Sequence, residues 1–189
     1  GFNVTNDGPF VQVAANHYHA CAVSPFGGVT CWGANGSGES TPPAGVLFRQ
    51  VSTGLDFTCG IKTDNTLQCW GNSYDNRTNP PAGTYKQLST GLHHSCAIDT
   101  AGHVQCWGMN AYGSLVEPAG TFKQVSTSNY HNCALRTDNT AYCWGMEDYY
   151  PGNPEMIAND PPAGVRFRQV TDDGFSACGI TTAGSLSCW

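Results

Sequence analysis

Cysteine carries the most conspicuous chemistry in this sequence. All ten cysteines fall into pairs ten positions apart: Cys21/Cys31, Cys59/Cys69, Cys96/Cys106, Cys133/Cys143 and Cys178/Cys188. A tryptophan follows the second member each time (Trp32, Trp70, Trp107, Trp144, Trp189), and the chain has no other tryptophan. Two chemistries compete for paired cysteines. A structural zinc takes four ligands from close C-x2–4-C knuckles, whereas these cysteines come two by two across longer spans. Disulfides are therefore the expected use, and a fully matched set implies an oxidising compartment. Each would close a short loop and contribute roughly 2–3 kcal/mol.

Other groups capable of chemistry are sparse. His19, His94 and His131 each precede a first cysteine by two residues, where the other units carry Phe57 and Ser176. A ring of imidazoles could hold a metal, but phenylalanine stands in for one of them. A structural histidine satisfied by backbone is the preferred reading, with His17, His93 and His103 at the surface. Arg49, Lys86, Lys123 and Arg168 recur at one strand position, where a packed aliphatic stem with a solvated charge is expected. Asp172-Asp173 replaces the usual Thr-Gly and, with the loop before it, is a weak cation candidate. No glycine-rich phosphate loop, nucleophile elbow or metalloprotease histidine pair occurs. No enzyme activity, cofactor or resident metal is expected.

The elements that must position these residues follow from the same spacing. If each cysteine faces its partner across an antiparallel pair, the central three residues are Pro25-Phe26-Gly27, Thr63-Asp64-Asn65, Thr100-Ala101-Gly102, Thr137-Asp138-Asn139 and Thr182-Ala183-Gly184. The third is always Gly or Asn, the residues that tolerate positive φ. This is the chemistry of a three-residue hairpin closed by a left-handed residue. Counting outward sets each tryptophan against a short residue: Ala20, Thr58, Ser95, Asn132 and Ala177. Both faces of each hairpin are substantially apolar, so each needs cover on both sides. Stacked propeller blades supply that cover.

An aromatic residue lies eleven positions before each first cysteine (Phe10, Phe48, Tyr85, Phe122, Phe167), and a glutamine follows two positions later: Gln12, Gln50, Gln87, Gln124, Gln169. These mark a strand before each hairpin. The chain is thus five copies of one unit, at about 10–47, 48–84, 85–121, 122–166 and 167–189 of a single domain spanning 1–189. The expected fold is all-β: a β-propeller of five short blades, each three- to four-stranded with an intra-hairpin disulfide. Length varies only between a tryptophan and the next aromatic, so those connections are surface loops. The longest, 145–160, concentrates Glu147, Asp148, Tyr149 and Tyr150. It reads either as a candidate partner-binding loop or as a neutral insertion.

Leu88-Ser-Thr-Gly-Leu-His-His-Ser-Cys-Ala-Ile98, with Val51-Ser-Thr-Gly54 and the recurrent Cys-Trp-Gly at 31–33, 69–71, 106–108 and 143–145, resembles the signature of the regulator of chromosome condensation repeat family. The resemblance spans essentially the whole chain and implies a β-propeller. Cysteine at a usually apolar position and the short units look more like extracellular crinkly-type repeats of plant receptor kinases and beta-lactamase-inhibitor protein II. The nucleotide-exchange activity of the nuclear member does not follow from a shared fold.

A formal charge of −6 with only eight basic residues argues against nucleic acid. No apolar run is long enough to cross a bilayer. Three N-glycosylation acceptors, Asn3, Asn35 and Asn76, agree with a secreted or cell-surface glycoprotein. Starting at Gly1, the chain reads as a processed product or a segment of something longer. The missing glycine after Trp189 reads as an interrupted pattern.

The function expected from these readings is a non-enzymatic extracellular scaffold that binds a protein or glycan partner through its loop face. The alternative is a structural subunit that self-assembles into an extracellular assembly or filament. For the two end blades three arrangements are open: a closed five-bladed ring, further flanking blades, or burial against another copy. A closed ring with the first and fifth blades in contact is the favoured expectation.

Overall fold

The computed structural model describes residues 8–145 and 161–189. Asn3 and the loop residues Glu147, Asp148, Tyr149 and Tyr150 lie outside these residues. The fold is all-β, with five three-stranded antiparallel sheets, each a simple meander. Sheet 1 holds β1 (Gln12–Asn16), β2 (His19–Val23) and β3 (Val29–Gly33); sheet 2 holds β4 (Phe48–Thr53), β5 (Phe57–Lys62) and β6 (Leu67–Gly71). Sheet 3 holds β7 (Tyr85–Thr90), β8 (His94–Asp99) and β9 (Val104–Gly108); sheet 4 holds β10 (Phe122–Thr127), β11 (His131–Arg136) and β12 (Ala141–Gly145). Sheet 5 holds β13 (Phe167–Asp172), β14 (Ala177–Thr181) and β15 (Leu186–Cys188). In the described residues of the connections no fourth strand forms; the second connection instead contains a short 3-10 turn at Tyr74–Asn76.

The hairpins have the expected register. Each cysteine opposes its partner. All five expected bridges form: Cys21–Cys31, Cys59–Cys69, Cys96–Cys106, Cys133–Cys143 and Cys178–Cys188, with Cα atoms 4.0 to 4.1 Å apart. In three pairs the two cysteines, alike in sequence, are not equally covered. Cys21, Cys59 and Cys96, on middle strands, are fully buried. Their partners Cys31, Cys69 and Cys106, on third strands, are only half-buried and pack at the margin of the core. A third strand has no further strand of its own sheet beside it, yet Cys143, on the third strand of sheet 4, is buried in the layer shared with sheet 5.

The third turn residue adopts positive φ in all five hairpins: Gly27, Asn65, Gly102, Asn139 and Gly184. The first strand is less regular than its spacing indicates. In sheets 2 to 5 the register shifts between the aromatic and the glutamine. The bulged residue is Arg49, Lys86, Lys123 or Arg168. A regular strand would turn aromatic and glutamine to one face; the bulge turns them to opposite faces.

That reversal builds the contact between blades. Phe48, Val51 and Trp70 pack on Cys21 and Val23 of the preceding sheet, and equivalent layers join sheets 2 to 3, 3 to 4 and 4 to 5. The disulfide face of each blade thus receives the tryptophan face of the next. On the other side, each glutamine donates to, and accepts from, the backbone of one residue in the following blade. The pairs are Gln12 with Val51, Gln50 with Leu88, Gln87 with Val125 and Gln124 with Val170, at 2.7 to 3.2 Å. A third bond repeats at the hairpin turn. The carbonyls of Gly27, Asn65, Gly102 and Asn139 accept the amides of Phe48, Tyr85, Phe122 and Phe167, at 2.8 to 2.9 Å.

The tryptophans find their acceptors in the connections. The Nε1–H groups of Trp70, Trp107 and Trp144 donate to the carbonyls of Glu39, Arg77 and Ser114, at 2.9, 3.0 and 3.3 Å. Each acceptor lies seven residues after the preceding tryptophan. Because the backbone supplies the oxygen, three unrelated side chains serve the same purpose.

The five described blades do not close into a ring, contrary to the expectation that the first and fifth are in contact. Among the described residues, no strand of sheet 1 packs on sheet 5 in the way that joins the four consecutive pairs. Val13 on the outer face of sheet 1 is 69% exposed, and Leu186 on the outer face of sheet 5 is 71% exposed; their counterparts Val51 and Val104 are buried. The physical reason is the rotation per blade. One aromatic-on-disulfide layer with one set of backbone bonds repeats four times, and that repeated step is too small for five blades to return to the start.

Candidate recognition face

The meander gives the propeller two rims of different character. On one, the turn between first and second strands meets the exit of the third. Ala34, Asn72 and Met109 donate their amides to the carbonyls of Tyr18, Asp56 and His93, at 2.8 to 3.0 Å. This close approach explains Cys-Trp-Gly: a Cβ on Gly71 or Gly108 would stand 2.7 Å from the Asp56 or His93 carbonyl, at φ near 104° and 108°. The opposite rim carries the hairpin turns and the bulged cations.

Aromatic and charged groups gather on the first rim. His93 stacks on Tyr130 at 5.7 Å, and Tyr112 meets the same ring edge-on at 5.4 Å. Tyr112 does so with φ of 56°, an uncommon conformation for a bulky residue. The guanidinium of Arg77, almost fully buried, lies 2.9 Å from the Asp56 carboxylate, 3.8 Å from Asp75 and over the Tyr74 ring. Tyr74 and Phe175 project from this rim into solvent. Burial lowers the pKa of His93, and the neighbouring Arg77 acts in the same direction. Its half-buried stack corrects the expectation that His93 is a surface residue. His17 and His103 are exposed as expected.

The three aligned histidines are buried, and each ring meets a side chain, His94 having the Asn129 backbone as a partner as well. His19 Nε2 meets Thr58 Oγ1 at 2.7 Å, His94 Nε2 meets Asn132 Oδ1 at 2.8 Å, and His131 Nδ1 meets Asp172 Oδ1 at 2.9 Å. Each of these partners belongs to the following blade, so the histidines join blades and do not form a metal ring. Burial lowers the pKa of His19, opposed by Glu39 and Asp56. His131, Cys133 and Asp172 do bring a potential ligand atom each within 4.8 Å of one another. However, the Cys133 sulfur is committed to Cys143, so no thiolate is available. Asp173 accepts the Phe175 and Ser176 amides and staples its own turn.

On the opposite rim the bulged cations are exposed. Arg49 donates to the Tyr85 carbonyl at 2.6 Å and to Asn65 Oδ1 at 2.9 Å, and Lys123 donates to Asn139 Oδ1. Arg49 and Lys123 thereby brace hairpin turns. Asn35 and Asn76 are both exposed on connections, although the Asn35 amide also bonds Thr41 and Ser40. The chain enters the 146–160 stretch from Gly145, beside the Tyr130 carbonyl, on the aromatic rim.

Three-stranded meanders stacked disulfide face to tryptophan face define a β-propeller. Residues 10–39, 48–77, 85–114 and 122–150 match the regulator of chromosome condensation (RCC1) repeat model; the chain belongs to that family. No curated protein gives a significant match. Among solved structures, the ectodomain of the Physcomitrella patens receptor kinase CR4 is 23% identical with a TM-score of 0.79, covering 100% of this chain and 52% of that one. The crinkly ectodomain of the Arabidopsis thaliana receptor kinase ACR4 is 24% identical with a TM-score of 0.76, covering 98% of this chain and 65% of that one. Prp20p from Saccharomyces cerevisiae, described with its binding to Gsp1p and histones, is 17% identical with a TM-score of 0.75, covering 95% and 57%. These likenesses show the fold, and this chain spans about half to two thirds of each solved chain.

Proposed function

We propose that this chain is a non-enzymatic extracellular scaffold that holds a protein or glycan partner on its aromatic rim. The observation that carries this reading is the contrast between the rims. One gathers Tyr74, His93, Tyr112, Tyr130 and Phe175 around a buried Arg77, the residue types that anchor interfaces. The other carries exposed cations, of which Arg49 and Lys123 bond the turn residues Asn65 and Asn139. Five disulfides with no free cysteine support an oxidising location. The buried His131–Asp172 pair joins the fourth and fifth blades.

Hydroxyl-radical footprinting of native extracellular material against the isolated chain tests this reading. Tyr74 and Phe175 are expected to be protected, with Phe26 on the opposite rim unchanged. Equal oxidation of all three in both samples would contradict it.

A second reading, in which the chain is a structural subunit of an extracellular assembly, is favoured by a different observation. The outer faces of sheets 1 and 5 are apolar and open, and footprinting would then protect Val13 and Leu186.

A further inference from the structure

Charge is divided unequally between the two rims. The chain holds eight lysines and arginines. Arg77 belongs to the aromatic rim. The other seven stand at the hairpin-turn end of the blades, at the starts of first strands or the ends of second strands. Among the described residues, Asp64, Asp99 and Asp138 are the acidic groups in or beside these turns, and each is engaged locally. Asp64 lies 3.5 Å from Lys62 and Asp138 lies 3.4 Å from Arg166. Asp99 accepts the amides of Gly102 and His103 at 2.7 and 2.8 Å.

One exposed cation then remains at the same bulged position on each of four consecutive blades: Arg49, Lys86, Lys123 and Arg168. Among the described residues, none of the four forms an ion pair with a carboxylate. Neutral groups hold two of them in place. Arg49 donates to the Tyr85 and Lys86 carbonyls of the next blade and to Asn65 Oδ1, and Lys123 donates to Asn139 Oδ1. A carbonyl or amide acceptor fixes a cation without cancelling its charge, which preorganises it for an anion. Stacked sheets lie about 10 Å apart, so the row offers one positive charge at roughly that interval.

We propose that the hairpin-turn rim is a second binding surface, on which an anionic polysaccharide lies along blades 2 to 5 with its sulfate or carboxylate groups on Arg49, Lys86, Lys123 and Arg168. This surface is independent of the aromatic rim. The turns of these blades are built from Thr, Asp, Asn, Ala and Gly, without the aromatic anchors that centre protein interfaces. The exposed hydroxyl pairs Thr84–Thr100 and Thr121–Thr137 add hydrogen-bonding groups suited to sugars. Duplex DNA carries a charge every ~1.7 Å, far denser than this row. The net charge of −6 does not oppose the contact. A six-residue strand separates the rims by about 20 Å, more than twice the Debye length of about 8 Å at physiological salt. Val11 takes the cation's place in blade 1, so its turn residue Phe26 lies outside the track.

Titration calorimetry of the 189-residue chain with heparin oligosaccharides tests the proposal, beside uncharged dextran, poly-glutamate and duplex DNA of matched charge. Heparin is expected to bind at low salt and to weaken as salt rises, and dextran not to bind. The double variant Lys86→Gln, Lys123→Gln is expected to weaken heparin binding roughly tenfold and to make its salt dependence shallower. Its urea-unfolding midpoint and disulfide map check the fold. Lys62→Gln with Arg166→Gln removes the same charge from the ion-paired positions of the same rim and is expected to weaken binding less. Absence of heparin binding at low salt overturns the proposal. Equal losses in the two double variants would assign the attraction to diffuse charge and overturn the row. Poly-glutamate or DNA binding as tightly as heparin would overturn the polysaccharide as partner.

Discussion

His94 shows how one position in the repeat is tuned by its neighbour in the next blade. Its Nε2 faces the acceptor oxygen of Asn132, whose amide donates in turn to the Ser114 carbonyl at 2.9 Å, so this nitrogen carries the proton. Burial is the dominant influence and pushes the pKa of His94 down to about 4, against partial support from Asn132 and the Asn129 backbone. The folded state therefore excludes the proton that the unfolded state accepts near 6.5. The resulting stability is complete above pH 6.5 and is lost as pH falls from there to about 4, by roughly 3 kcal/mol at most. In sheet 2 the same position is Phe57, and the facing Ser95 turns its Oγ to Thr90 instead. Copying that pair as His94→Phe with Asn132→Ser should flatten part of the loss in urea-unfolding stability between pH 7.5 and 4.5. A remainder is expected because burial also lowers the pKa of His19 and His93. An unchanged pH dependence in the double variant would contradict this assignment. The structural role of these histidines is legible in the sequence, because phenylalanine replaces one. Their partners are not legible, because each lies about one repeat away.

At the scale of the element, the hairpin is the most legible part of the chain. Cysteine spacing and the Gly or Asn at the third turn position specify the same register independently, and the observed pairs follow it residue for residue. Non-reducing peptide mapping should return five local disulfides and none between units; a cross-unit pair would overturn the register. The unequal cover of three bridges, with Cys31, Cys69 and Cys106 less buried than their partners, is not legible in a spacing that treats both cysteines alike. The first strand is harder to read. Nothing in the Phe-Arg-Gln order marks Arg49 as a bulge, because the bulge is imposed by the need to send Phe48 to one neighbour and Gln50 to the other. The glutamine amide makes two hydrogen bonds across each blade junction, so Gln87→Ala should destabilise the chain by about 1–3 kcal/mol, measured by urea unfolding. A loss under about 0.5 kcal/mol, the range of a surface substitution, would show that the bond is incidental. The tryptophan acceptors escape sequence reading for a related reason. Backbone carbonyls do the accepting, leaving only the constant seven-residue offset of Glu39, Arg77 and Ser114 as a signal.

At the scale of the whole molecule, five blades, one disulfide per blade and apolar cover on both faces are all legible from repetition. Closure is not, because it depends on the rotation between blades, and that angle is set by how Trp70, Trp107 and Trp144 seat on the preceding disulfide layer. Composition reports that layer without reporting its wedge. The outer faces of the first and fifth described blades are apolar and exposed at Val13 and Leu186, and the aromatic rim is the surface on which the proposed scaffold holds its partner. Cryo-electron microscopy of the native particle tests this account most directly. The predicted result is that the five disulfide-closed blades run in sequence and that Trp32 is not seated on the Cys178–Cys188 bridge of the same molecule. A closed ring, with Trp32 seated on the Cys178–Cys188 bridge of its own chain, would contradict it.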